Sequence, residues 1–251
     1  MNPIVVWVLC VLAAISLIAV IVVLVRDSDD NDVKTTAPTT TLAQGTTTAR
    51  VATTAAATTT AAPVTGYGTT ACPPAAGTAA PVRTFTSPFQ QCINAAKKYT
   101  AVVSTNKGDL TIQLDPTSAP FAVNNFVALA RSHYFDATQC HRIIPTFVVQ
   151  CGDPTATGRG GPGYQFVDEL PKAGQYKIGS LAMANSGVNT NGSQFFIVTG
   201  AQGVALPPSY SLFGQVTVGT DTTLKALDAA GTTSGTPKEA ISINSVKIIE
   251  S

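Results

Sequence analysis

Short β-branched and aromatic runs, bounded by turn residues and interrupted by only two helical patterns, predict a mainly β domain. Its expected form is an antiparallel barrel whose ends are covered by the helices. Ahead of it the sequence predicts a membrane-spanning helix and a disordered stalk. Three observations carry this. The segment Ile4–Val25 is apolar throughout except for Ser16. Residues 35–70 are mostly Thr and Ala, without helical or strand periodicity. Only from about Lys98 onward does the composition become that of a globular chain.

The 251 residues are 45% hydrophobic but only 12% charged, against about a quarter charged in ordinary soluble domains. Anchor and stalk account for much of the deficit. Fifteen basic and fourteen acidic residues leave a net charge of +1, which excludes a domain built to coat nucleic acid and a long acidic tail. Ile4–Val25 matches the roughly 20 residues that cross a bilayer as a helix. A cleaved signal peptide would instead show an apolar region of about 7–15 residues, a basic start and small residues before the cut. Here no Lys or Arg precedes the run, and Val23-Leu24-Val25 offers no small residue. The expected organisation is an uncleaved anchor over 1–26, a stalk over 27–70, a Cys-containing extension over 71–97 and a folded domain over 98–251.

Threonine runs such as Thr39-Thr40-Thr41 and Thr58-Thr59-Thr60, with Pro38, Gly45 and Pro63 among them, cannot bury enough apolar surface to offset ordering entropy. As a coil, some forty residues span about 35 Å. Such stalks are found outside cells, either glycosylated or as plain tethers. Arg26 and Lys34 follow the span, and alone they would keep that side cytoplasmic. The stalk and the cysteines favour an extracytoplasmic domain.

Beyond Cys10 in the anchor, the chain has Cys72, Cys92, Cys140 and Cys151. Four cysteines allow three pairings. Cys140 and Cys151 flank the turn at Pro145-Thr146 symmetrically. A hairpin of Gln139–Ile143 with Phe147–Gly152 would bring the two sulfurs face to face. That leaves Cys72 for Cys92 and implies an oxidising compartment. Four buried free thiols are the other reading.

In the folded domain, Ala101–Ser104 and Leu110–Leu114 are strands joined by the hairpin signal Asn106-Lys107-Gly108. Val123, Phe126, Val127 and Ala130 recur at helical spacing, with Ser118 as N-cap and Pro120 in the first turn. Further strands are expected at Gln139–Ile143, Phe147–Gly152, Ser180–Met183, Phe195–Val198 and Leu212–Val216, and a second helix at Thr222–Ala230. In Ala240–Ile249 the apolar alternation changes phase between Ile243 and Val246, which predicts a bulge.

Several generic signals fail on their context. Gly158, Gly160 and Gly163 spell G-x-G-x-x-G, but Pro162 and the polar approach Thr155–Thr157 make this a surface loop rather than a nucleotide cradle. Cys140 and His141 are strand neighbours pointing to opposite faces, so they form no catalytic dyad. With only His133 and His141 in the chain, a histidine-based metal site is not expected. The sequon Asn191-Gly192-Ser193 lies inside a dense motif and reads as incidental.

The run from Cys140 to Asp153, CHRIIPTFVVQCGD, resembles the central hairpin motif of the cyclophilins, the cyclosporin-type peptidyl-prolyl isomerases. Leu181–Ile197, LAMANSGVNTNGSQFFI, is similar to that family's second motif almost letter for letter, and Phe213-Gly214-Gln215-Val216 to its third. Order and spacing agree over roughly residues 98–250, and the Cys72–Cys92 extension looks like that of membrane-attached actinobacterial members. The resemblance implies a closed eight-stranded barrel capped by two helices, with a proline groove on its outer wall. It implies an isomerase of X-Pro bonds in exported or cell-surface proteins, a folding helper. No cofactor and no metal are implied, and the partners would be proline-containing polypeptides. By motif position Arg142 would be catalytic. Phe147, Val148, Phe196 and Leu206 would line the proline pocket, with Tyr210 beside it. Gln150, Ala184, Asn185 and Gln194 would bound the groove for the peptide backbone.

Elementary chemistry agrees with that assignment. Rotation about an amide faces a barrier of about 18–20 kcal/mol, and no bond need break to lower it. A guanidinium donating to the prolyl nitrogen as it pyramidalises stabilises the twisted state over the planar one. This sequence departs from the resembled pattern in four places. Val148 stands where methionine is usual, which widens the pocket. Cys151 stands where glycine is common, Tyr210 where histidine often is, and Ala205 where many relatives carry a cyclosporin-contacting tryptophan. The last implies weak cyclosporin binding.

Overall fold

Alternation along each strand decides which side chains form the interior. In β1 (Tyr99–Thr105) Tyr99, Ala101 and Val103 are buried, and in β2 (Gly108–Leu114) Leu110, Ile112 and Leu114. The two pair in antiparallel register from Tyr99↔Leu114 to Thr105↔Gly108. The computed structural model describes residues 66–251. The expected anchor, and the stalk up to residue 65, lie outside the described residues. Among the described residues no helix is long and apolar enough to cross a membrane.

The remaining strands are β3 (Thr138–Gln139), β4 (Arg142–Ile144), β5 (Val148–Cys151), β6 (Ser180–Met183), β7 (Phe195–Val198), β8 (Leu212–Val218) and β9 (Ser242–Glu250). They form one antiparallel sheet in the order β3-β9-β1-β2-β8-β6-β7-β5-β4. This corrects the expected closed eight-stranded barrel: the sheet has nine strands and is an open half-barrel with β3 and β4 as its edges. The single strand expected over Gln139–Ile143 is broken at Cys140-His141. Its first part pairs with β9 and its second with β5. No ladder joins β3 to β4, so the sheet stays open between them. The expected bulge in the last strand is present. Ser104 pairs with Ser245 but Thr105 with Ile243, which leaves Asn244 as the extra residue.

Helix α1 (Pro120–Arg131) has proline in its first turn, but Ser118 does not cap it. Ala119 occupies the N-cap without a side-chain bond. The anionic cap comes from a distant residue. Glu169 accepts from the N–H groups of Phe121 and Ala122 at 2.9 and 2.8 Å, where the helix dipole favours negative charge. Residues Ala122 to Ala130 are all buried, because α1 is covered on two sides. Inward, Phe126 packs against Phe135, Phe195 and Phe213 with ring centroids 5.1–5.5 Å apart. Outward, the extension lays Phe89 and Ile93 into the same core. Asn124, buried in the helix, is satisfied by Cys92 N, Ile93 N and Gln90 O.

Three helical segments replace the two expected. Helix α2 (Ala201–Val204) is a single turn that carries no periodic signal, and α3 (Lys225–Ala229) continues a π-helical turn over Thr220–Leu224. Both pairs of cysteines are bridged, Cys72 with Cys92 and Cys140 with Cys151. The first closes a span of 20 residues, for which chain entropy gives about 3 kcal/mol of stabilisation. The second joins the break between β3 and β4 to the end of β5.

Candidate functional site

The face of the sheet opposite the main core carries a smaller cluster of Val148, Tyr176, Ala182, Phe196 and Val198. Alternation puts them there. In β5 Val149 and Cys151 turn into the main core while Val148 and Gln150 turn out, and in β7 Phe195 and Ile197 turn in while Phe196 and Val198 turn out. A depression of about 190 Å³ opens over this cluster. The residues expected at the proline pocket, Phe147, Val148, Phe196, Leu206 and Tyr210, all line it, together with Arg142 and Gln150. Ala184 and Asn185 form its shared rim with a second depression, in which Gln194 lies.

Several supports hold these side chains. Phe196 meets Tyr210 edge-on at 5.2 Å. Tyr176 Oη donates to Tyr210 O at 2.7 Å, and Asn185 Nδ2 donates to Ser209 O at 2.9 Å. Arg142 lies opposite Gln150 in the β4–β5 register, with its guanidinium carbon 5.6 Å from the centre of the Phe147 ring.

Arg142 is also the end of a directional hydrogen-bond chain. Its Nη1 donates to Gln150 Oε1 at 3.2 Å, and Gln150 Nε2 donates to Gln194 Oε1 at 2.9 Å. Gln194 Nε2 donates onward to Gly158 O and Gly160 O at 3.1 and 2.9 Å. Those carbonyls belong to a loop wound around the Asp153 carboxylate, which is fully buried. Asp153 accepts from Thr155 N and Oγ1, both at 2.7 Å, and from the N–H groups of Thr157, Gly158 and Gly160 at 2.7–3.0 Å. Burial alone would raise its pKa. The hydrogen bonds from Thr155, Gly160 and Gly158 outweigh burial and hold it at about 2.

Three contributors carry no readable signal. Asp153 ends the first motif, but its partners lie up to seven residues downstream. The G-x-G-x-x-G loop, which the sequence presents as bare surface, forms the wall that orients Gln194. Gly235 has φ +90, and a Cβ there would press on the Arg142 side chain at 3.2 Å. Its backbone also frames β4, since Ile143 N donates to Gly235 O at 2.8 Å. Cys140 has no free thiol, being bridged to Cys151. The sequon residue Asn191 is fully buried, its amide bonded to Val167 O and Asp168 Oδ1.

An antiparallel sheet that carries an outward apolar pocket, with one arginine at its edge, can seat an apolar ring beside a fixed cation. The family model for cyclophilin type peptidyl-prolyl cis-trans isomerase/CLD matches residues 100–248, and the chain belongs to that family. It is 42% identical over 161 residues to a probable peptidyl-prolyl cis-trans isomerase B of Mycobacterium tuberculosis, covering 57% of this chain and 52% of that one. It is 44% identical over 154 residues to peptidyl-prolyl cis-trans isomerase-like 1 of Gibberella zeae, covering 59% of this chain and 94% of the relative. A crystal structure of a Cryptosporidium parvum cyclophilin type isomerase in the presence of the dipeptide Ala-Pro superposes with TM-score 0.56 at 37% identity, covering 60% and 98% of the two chains. The chain spans about half the length of the mycobacterial relatives it matches.

A carboxyl whose folded pKa lies below its unfolded value stabilises the protein above the unfolded value, and that contribution is lost as pH falls through the folded one. From an ordinary 3.8 down to about 2, the buried Asp153 contributes about 2 kcal/mol at neutral pH. Asp153→Asn is therefore expected to lower unfolding free energy at pH 7. Between pH 5 and pH 2 the wild type should lose about 2 kcal/mol more than the variant. Urea denaturation across that range checks it, and parallel pH profiles would show that the loop does not depend on the charge.

Proposed function

We propose that this chain is a membrane-tethered peptidyl-prolyl cis-trans isomerase that accelerates X-Pro rotation in exported or cell-surface proteins. The observation that carries the reading is Arg142. It lies at the edge of an apolar pocket lined by Phe147, Val148, Phe196 and Leu206, and it donates to Gln150. Unaided X-Pro exchange takes roughly 10–100 s. Phe147, Val148, Phe196 and Leu206 grip the ring, while Gln150, Ala184, Asn185 and Gln194 line the path of the flanking backbone. With one side held, the other rotates.

As the amide twists, the prolyl nitrogen recovers its lone pair and becomes an acceptor. Arg142 donates to it and needs no proton transfer, since a guanidinium stays charged. The hydrogen bond exists only in the twisted state, so it lowers the barrier without tightening the ground state. Crystallisation of the Cryptosporidium isomerase in the presence of Ala-Pro supports a small prolyl ligand class for the shared fold.

The tether reading rests on the apolar run Ile4–Val25 and the Thr/Ala stalk, and the outward orientation on the two disulfides. Protease applied to intact cells is expected to release the folded domain. Retention of full-length protein, with cleavage only after lysis, would reverse the orientation.

Two-dimensional exchange NMR on an X-Pro peptide, without a coupling protease, tests the activity. Arg142→Ala is expected to reduce catalysed exchange by about 10²-fold while peptide binding persists. Equal, near-background rates for wild type and variant would leave only the alternative, a module that captures proline-containing chains. In the same assay cyclosporin is expected to inhibit weakly, because Ala205 offers no indole beside Leu206. Inhibition at low nanomolar drug would contradict that.

A further inference from the structure

The groove continues past the proline pocket. Gln150, Ala184 and Asn185 line both the first depression and a neighbouring one of about 360 Å³. The second is walled by the Gly158–Pro162 loop on one side and by Ser186, Thr190 and Gly192 on the other. Its charge is one-sided. Of the side chains lining it, only Arg159 carries a charge at neutral pH. Tyr164, the other ionisable group, donates its hydroxyl to Asn125 Oδ1 at 2.6 Å, and burial raises its pKa. No Asp or Glu lines either depression, so the charged residues that line the whole groove are two arginines, Arg142 and Arg159.

Arg159 is anchored in backbone and free in side chain. The residues on either side of it, Gly158 and Gly160, each donate N–H to Asp153 Oδ2, at 2.7 and 3.0 Å. Their carbonyls both accept from Gln194 Nε2. The Arg159 α-carbon is therefore clamped between a buried anion and the groove wall. The loop cannot shift outward without breaking these four hydrogen bonds. Among the described residues its guanidinium makes no ion pair, and the residue's one hydrogen bond is from its backbone N–H to Thr157 Oγ1 at 3.2 Å. Asp153 does not serve as its partner, being fully buried and occupied by the loop's own donors. Gly161 has nothing within 4 Å of where a side chain would stand, which leaves the mouth of the pocket open beside Arg159.

The geometry points to Arg159 as a specificity residue. The second pocket takes the carboxylate side chain of an Asp or Glu near the proline, so the favoured substrates are acidic proline-containing peptides. An extended chain advances about 3.3 Å per residue. A peptide with its prolyl ring in the first pocket thus lays a residue one or two positions away over the second. There a guanidinium offers paired donors to a carboxylate, and a lysine side chain meets only like charge. This rests on the isomerase reading above and adds the substrate class.

The test uses the full-length protein in detergent and otherwise identical proline peptides. These carry Glu, Gln or Lys at the second position before the proline or at the second position after it. Exchange rates and Kd are both measured, so that a preference is readable with or without turnover. Wild type is expected to favour Glu over Lys by about two- to five-fold at low salt, with the preference fading in about 0.5 M NaCl, where the screening length is only about 4 Å. Arg159→Glu is expected to invert the ratio in favour of Lys, and Arg159→Gln to bring it near unity. Because the readout is a ratio within one preparation, a change in the amount of active protein does not move it. A wild-type Glu/Lys ratio of one at both positions, or a ratio that Arg159→Glu leaves unchanged, overturns the assignment. If the Gln peptide is exchanged by wild type and not by Arg142→Ala, the isomerase reading stands whatever the ratio shows.

Discussion

A carboxylate removed from water must find its hydrogen bonds inside the protein, and the site is built on how Asp153 finds them. No cation among the described residues pairs with it. The chain itself turns back, so that Thr155, Thr157, Gly158 and Gly160 present donors to its two oxygens. The same two glycines turn their carbonyls away from the carboxylate and toward Gln194. Two outward carbonyls can be satisfied only by a donor, so Gln194 must present its amide nitrogen to them and its oxygen to Gln150. Gln150 is then forced to offer its oxygen to Arg142. Each amide could in isolation sit either way round. The orientation of the whole chain is dictated from its buried end.

The sheet divides labour between its faces. One buries the large aromatic core with α1 against it, and the other supports the small apolar cluster under the groove. Neighbouring residues of the same strand therefore face the main core and the groove by turns: Ile143 beside Arg142, Val149 beside Gln150, Phe195 beside Phe196. The half-barrel is open where β4 forms an edge, and this edge carries Arg142. It is held there by the ladder to β5, by the bridge from Cys140 to Cys151 and by Gly235 behind it.

Local features of this arrangement are legible in the sequence. Period-2 alternation locates most strands, the phase slip near Asn244 announces its bulge, and symmetric spacing about Pro145-Thr146 pairs Cys140 with Cys151. The features that escape are non-local. Nothing near Ser118 says that Glu169, far downstream, will take its capping role. Nothing in a Val/Phe/Val/Ala stripe says that a preceding extension will bury the helix's other side. The break at Cys140-His141 is invisible because both halves have strand character, and only their different partners separate them. The Gly158–Gly163 loop is legible as a turn and illegible as a wall. Arg159 is hidden for the same reason: only the folded loop brings its charge to the groove.

The bridge between Cys72 and Cys92 has a mechanical meaning as well as an entropic one. Tension entering at Gly66 meets the Tyr67–Phe121 ring contact, then the pairing of Gly68 and Thr70 with Pro88-Phe89, and then the covalent bond. Beyond that pairing, force crosses from Cys72 to Cys92 through sulfur, so most of the loop between them is bypassed. It reaches the fold at Ile93, in the core, and at Cys92, where the buried Asn124 side chain of α1 accepts from both N–H groups. A pull on the leading chain thus reaches helix α1, through Asn124, before it reaches the strand that carries Arg142.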